Sequence, residues 1–155
     1  MKVSIQFKSI IAVLLFFYMS EFTFAQAKFP VSVPFQKVNN YFVLHSIPSG
    51  KTKLLKITSQ KEFDAYFGMA TTMGEGGKPT SIDFNTHFVL AIIYSYTNQL
   101  VDLVPVNINQ TAKKKAQFQY RFKSNGTQSA LLRPSVMIMV NKDYKKINFQ
   151  LQQVK

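Results

Sequence analysis

Cysteine and tryptophan are both absent from the 155 residues. Without a thiol there is no disulfide, no thiol nucleophile, no iron–sulfur cluster and no cysteine-ligated zinc. Acidic side chains are scarce, 7 against 19 lysines and arginines, which leaves a net charge of +12. So few carboxylates give little material for a calcium cage or for the paired acids of a glycosidase. The only histidines are His45 and His87, and neither HExxH nor EF-hand spacing occurs. No apolar run approaches the roughly 20 residues that a membrane-spanning helix needs.

What is present suits a single packed domain. Hydrophobic residues make up 46% of the chain and charged residues 17%, enough for a real core at this length. The first 25 residues have the three parts of a secretory signal. Lys2 and Lys8 supply the positive opening, Ile10 to Met19 the apolar run, and Thr23-Phe24-Ala25 the small-residue site before Gln26. The expectation is export to the periplasm or beyond the cell, with cleavage at Ala25-Gln26. No cysteine stands there to take a lipid, so a lipoprotein is not expected. Residues 1–25 are thus assigned to the signal and 26–56 to an extended lead-in and the first strands. Residues 57–155 form the β-rich remainder of the same domain.

The lead-in carries Pro30 and Pro34, which remove ladder donors and suit an edge strand. Tyr41 to His45 and Lys53 to Ile57 read as strands about a turn at Ile47-Pro48-Ser49-Gly50. Ser59-x-x-Glu62 is a capping box opening a short helix, with Phe63, Tyr66 and Phe67 on one stripe and Gly68 as its stop. Met69 to Asp83, with Gly74, Gly76 and Gly77, reads as a mobile loop rather than a phosphate cradle, because no Lys-Ser/Thr follows.

Strands follow. Phe88 to Tyr94 and Val136 to Val140 are continuously apolar, as in strands covered on both faces. Leu100 to Ile108 contains Pro105, which implies an edge or a bulge. Ala116, Phe118, Tyr120 and Phe122 alternate with polar residues, and so do Ile147, Phe149 and Leu151. Asn141 to Lys146 fits the connecting turn. Asn109-Gln110-Thr111 and Asn125-Gly126-Thr127 match the glycosylation pattern and are taken as turns. The fold class expected is α+β and mostly antiparallel β, with five to seven strands and one short helix packed on the sheet. Short connections favour hairpins.

Site chemistry is thin. Nucleophilic catalysis requires a base and an orienting group, and the histidines show no such setting: His45 adjoins Ser46 on alternate strand faces, and His87 follows Asp83 across a stretch that Asn85 marks as a turn leading into a strand. Asp83, His87 and Asp102 could meet in space, but no spacing demands it. No catalytic residue, metal site or cofactor is therefore assigned, and an enzyme is not expected. The candidate binding residues are the lysine-rich set Lys113, Lys114, Lys115, Arg121, Lys123, Lys142, Lys145 and Lys146. Gathered on one sheet face, they would attract anionic polysaccharide, lipid headgroups or an acidic protein. The plainer reading is that they keep an exported sheet soluble. Nucleic acid is not expected, since the wet face offers glutamines rather than stacking aromatics.

From Ile57 to about Asn141 the order of features resembles the PrcB C-terminal-domain family, small exported bacterial domains named for a non-catalytic subunit of a surface protease complex. The matching pieces are Ile57-Thr58-Ser59 with Glu62-Phe63, Ser81-Ile82-Asp83-Phe84, Phe88 to Ala91, and Pro134 before Val136 to Val140. The family's Gly-Gly-Tyr-like segment is replaced by Ser95-Tyr96-Thr97-Asn98-Gln99. The resemblance implies a partner role, binding or stabilising another secreted protein, a protease among the candidates.

Overall fold

The apolar segment Phe88–Ile93 is the centre of the computed structural model, which describes residues 28–45, 50–70 and 76–155. The signal segment, the Ile47-Pro48-Ser49 turn and Gly74 lie outside the described residues. Ten strands follow in chain order: β1 (Val31–Ser32), β2 (Phe35–Val38), β3 (Tyr41–Val43), β4 (Lys53–Ile57), β5 (Phe67–Met69), β6 (His87–Ile93), β7 (Thr97–Ala112), β8 (Lys115–Leu132), β9 (Ser135–Asn141) and β10 (Asn148–Val154). Among the described residues one helix, α1 (Gln60–Tyr66), precedes β5, and one 3-10 turn (Lys142–Tyr144) precedes β10. The fold is α+β and mostly antiparallel. Its strand total exceeds five to seven because β1, β3 and β5 are only two or three residues long.

The strands do not form one sheet. Two four-stranded sheets stack, one ordered β1-β7-β8-β10 and the other β2-β9-β6-β4, with a β3-β5 ribbon beside them. Alternation along β6 explains the stacking. Phe88, Leu90 and Ile92 face the first sheet, where they pack with Phe118, Ile108 and Phe149, joined by Ile138 of the neighbouring strand β9. Val89, Ala91 and Ile93 face the other way and pack with Phe63, Phe67, Ile57 and Met137. β6 is therefore apolar from Phe88 to Ile93 because sheet covers one face and helix the other. Each fully buried Phe or Ile here contributes about 1.5–3 kcal/mol.

The capping box forms with one change. Ser59 Oγ accepts from the Glu62 N–H at 3.3 Å, and Glu62 Oε2 accepts from the N–H of Thr58, one residue before the cap, at 3.0 Å. Gly68 does not stop the helix. The chain turns extended at Phe67 (φ −131°, ψ 138°), and Gly68 lies within β5. The β3 register fixes the end, since a helix cannot continue through residues paired to Tyr41–Val43.

Three further expectations change. Asn109-Gln110-Thr111 lies inside β7, where Asn109 and Gln110 pair with β1 on one side and β8 on the other. Asn125-Gly126 lies inside β8 at a bulge, with Val101 opposite Ser124 and Gln99 opposite Thr127. Gly126 takes φ +116°, a conformation that favours glycine there. The segment after β9 is not a hairpin: the 3-10 turn carries the chain to the other sheet, where β10 pairs parallel to β8. The lead-in makes the same crossing in reverse, from β1 to β2. Pro105 does mark a bulge, between Pro105 and Asn107.

The described end of the Met69–Asp83 loop is tied down. Thr80 exchanges bonds with Asn39, its carbonyl accepts from Tyr41 Oη at 2.9 Å, and the Asn40 side chain donates to the Lys78 carbonyl at 2.8 Å.

Candidate functional site

The lysine-rich set divides along β8. The turn Lys113-Lys114 joins β7 to β8, and β10 starts beside it, with Asn148 opposite Lys115 and its N–H on the Lys114 carbonyl at 2.9 Å. Parallel pairing thus brings Lys145 and Lys146 next to Lys113, Lys114 and Lys115. Lys142 lies on the same connector, its N–H on the Thr86 carbonyl at 2.9 Å. Arg121 and Lys123 point to the same wet face but sit six and eight residues along β8. At about 3.3 Å per residue that is roughly 20 and 26 Å away. Lys123 stands opposite Asp102, and Arg121 Nε donates to the Lys155 carbonyl at 3.3 Å.

Lys56, on β4 of the second sheet, belongs with the group. Its ammonium donates to the Lys145 and Ile147 carbonyls at 3.1 and 3.2 Å and lies 6.0 Å from the Phe149 ring centroid. Reading segments singly could not show this, because Lys56 and Lys145 meet only when the sheets stack.

His87 opens β6 at this same end. Asp83 closes an Asx turn, taking the Asn85 N–H at 2.9 Å, while its other oxygen takes the Thr86 hydroxyl at 2.8 Å. Thr86 Oγ1 is also 2.8 Å from His87 Nδ1. The Asn85 N–H first, and the Thr86 hydroxyl next, hold the Asp83 carboxyl below its usual range. With Asp83 ionised, the one hydroxyl proton goes to the carboxylate, and the imidazole must donate from Nδ1 to close the chain. The chain spans five consecutive residues at an exposed turn, and its role is to shape the entry to β6. Asp102 is elsewhere. It lines a hollow of about 330 Å³ between β2 and β7, which Lys37 and Asn39 also line. Among the described residues no three His, Asp or Glu side chains gather as metal ligands.

The opposite end of the sandwich holds a second feature. Where β8 passes into β9, a groove of about 330 Å³ opens against β3. Phe42, Tyr96, Leu131 and Leu132 line it at 46%, 37%, 68% and 44% exposure, and exposed His45 stands at its margin. The Arg133 guanidinium lies 5.2 Å from the Tyr96 ring centroid. The two histidines are therefore at opposite ends of the molecule. The signal for this groove was Leu131-Leu132 itself, two adjacent leucines after a polar stretch, which fit no alternating pattern.

No helix among the described residues is long and apolar enough to cross a membrane. The fold and these two ends define a β-sandwich with a helix-covered outer face. Compared with models of protein families, with curated proteins and with solved structures, the chain finds no match.

Proposed function

We propose that the chain is an exported, non-enzymatic interaction module that binds or stabilises another envelope or secreted protein. The supporting observation is the apolar groove rim. Four large apolar side chains, Phe42, Tyr96, Leu131 and Leu132, are each more than a third exposed around one concavity. Contiguous exposed apolar surface of this kind marks interaction sites on otherwise polar proteins. Aromatic and leucine anchors beside an arginine supply both contact area and a polar partner at the rim. The export part rests on the signal-like segment, and a protease as partner rests on the PrcB-like order of features alone.

Site-specific photo-crosslinking in the native cell tests this. A benzophenone side chain at Leu131 is expected to give one discrete adduct. The adduct should be lost with Phe42→Asp and retained at high salt, as for an apolar contact. A purified partner identified from it should bind wild type but not Leu131→Asp/Leu132→Asp. Absence of an adduct at Leu131, or a partner indifferent to both variants, overturns the reading.

The second reading, binding of an anionic polysaccharide or lipid through lysines, is favoured by a different observation: the gathering of Lys113–Lys115 with Lys145 and Lys146 at the far end.

A further inference from the structure

We infer that the lysine-rich end of the sandwich docks on an anionic lipid surface. This takes the lipid branch of the second reading and is independent of the groove. Three features at that end point the same way.

The first is alignment. In the first sheet the strands run β1-β7-β8-β10, so β1, the β7–β8 tip and the start of β10 stand in one row. At about 4.8 Å between strands the row is about 15 Å wide. Across it the chain places Lys28, then Lys113-Lys114-Lys115, then Lys145-Lys146, with every one of these six side chains exposed.

The second is the lack of local neutralisation. Among the described residues none of the six makes an ion pair, and the connector that carries Lys145 and Lys146 holds one acid, Asp143. The tethered Lys56 adds charge from the neighbouring sheet. Six exposed ammonium groups, on the β7–β8 turn, the connector and the strand ends beside them, can each approach a planar negative surface without distorting the sheets.

The third separates a membrane from a soluble polyanion. β1 runs antiparallel to β7 with Val31 opposite Gln110, so the chain preceding it leads back toward Ala112 and the tip. Phe29 is on that stretch at 37% exposure, and Val31 is 41% exposed. A polysaccharide gains little from an apolar side chain beside the charges. A bilayer interface gains from it directly, since reversible attachment to lipid is strongest when a basic cluster and an apolar insert act together.

Co-sedimentation of the protein released by the cell decides it, using vesicles of phosphatidylcholine alone or with one third phosphatidylglycerol. The expected result is retention on the anionic vesicles only, falling as salt rises. Lys113→Glu/Lys114→Glu/Lys115→Glu should weaken it roughly a hundredfold or more, at about fivefold for each charge lost. Phe29→Ala should weaken it severalfold while keeping the salt slope. An unchanged thermal transition shows that each variant is folded, and Lys53→Glu, exposed at the opposite end of the sandwich where it pairs with Ile93, should bind as wild type. Equal retention on neutral vesicles, no retention on anionic ones, or an unaltered triple variant overturns the inference. So does retention on heparin with none on vesicles, which would assign the row to a soluble polyanion instead.

Discussion

Phe42 lies across Gly68. The two are register partners in the β3–β5 ribbon, and a β-carbon on Gly68 would come within 2.6 Å of the ring's Cζ. A ring covering a cross-strand glycine shields backbone that would otherwise be bare. Phe42 also forms one wall of the groove, so the glycine sets where that wall stands. Gly68→Ala should push the ring outward. Because Phe42 is half-exposed and its far end is free to swing, the stability cost should stay below about 1 kcal/mol. Crosslinking from Leu131 should drop much more than stability does, which urea titration alongside the adduct yield will show.

The α1 helix is held by one side chain. Seven residues form no stable helix alone, and Phe63 is fully buried, with Tyr41 edge-on at 4.9 Å and Phe67 at 5.1 Å. Phe63→Ala should cost about 3–5 kcal/mol, the sum of lost burial and the cavity left under the helix. Ser59→Ala should cost about 1 kcal/mol through the lost cap. Chemical denaturation measures both, and a Phe63→Ala cost under about 1 kcal/mol would show that the helix docks by other means.

Local patterning carried the wet and dry faces of β8 and β10, the double burial of β6 and the capping box, because each depends on residues a few positions apart. It could not carry the parallel neighbour of β10, since Ile147, Phe149 and Leu151 would alternate identically in a hairpin. Asn125-Gly126 favours a bulge as readily as a turn, and only the partner strand decides between them. The same limit applies to the basic site. Lys113 to Lys115 was visible as a run, whereas its joining to Lys145 and Lys56, and its separation from Arg121 and Lys123, follow from which strands are adjacent.

Titration gives the fold two shoulders. Burial, with Asp64 adding to it, raises the Tyr41 phenol above its ordinary 10.0, and burial with Tyr94 does the same to Tyr120. A raised acid stays neutral in the fold after the unfolded chain has ionised. Its contribution is whole below about pH 10 and disappears as pH climbs through the folded value. Asp83 has the reverse sign. Its lowered carboxyl contributes above the ordinary carboxylate range and is lost as pH falls through the folded value. Tyr41→Phe should flatten the alkaline shoulder and Asp83→Asn the acid one, as read from urea midpoints between about pH 2 and pH 11. Asp83 is solvent-exposed, so its part should shrink further with salt.

Lys56 ties the two sheets together at the point where the chain changes sheet. Its ammonium stands on β4 and donates to the Lys145 and Ile147 carbonyls, while the Ile147 N–H donates to the Tyr144 carbonyl at 3.0 Å in the turn that follows the 3-10 segment. Asn148 then bonds the Lys114 carbonyl and begins the parallel pairing. Lys56→Met keeps the stem over Phe149 and removes the donors, leaving the Ile147 carbonyl, which is partly buried, to find water. The expected loss is about 1 kcal/mol. Hydrogen exchange should localise it, with faster exchange at Ile147 and Asn148 and none at Phe88 to Ile93. Uniformly faster exchange across both sheets would mean that Lys56 supports the whole sandwich rather than this one crossing.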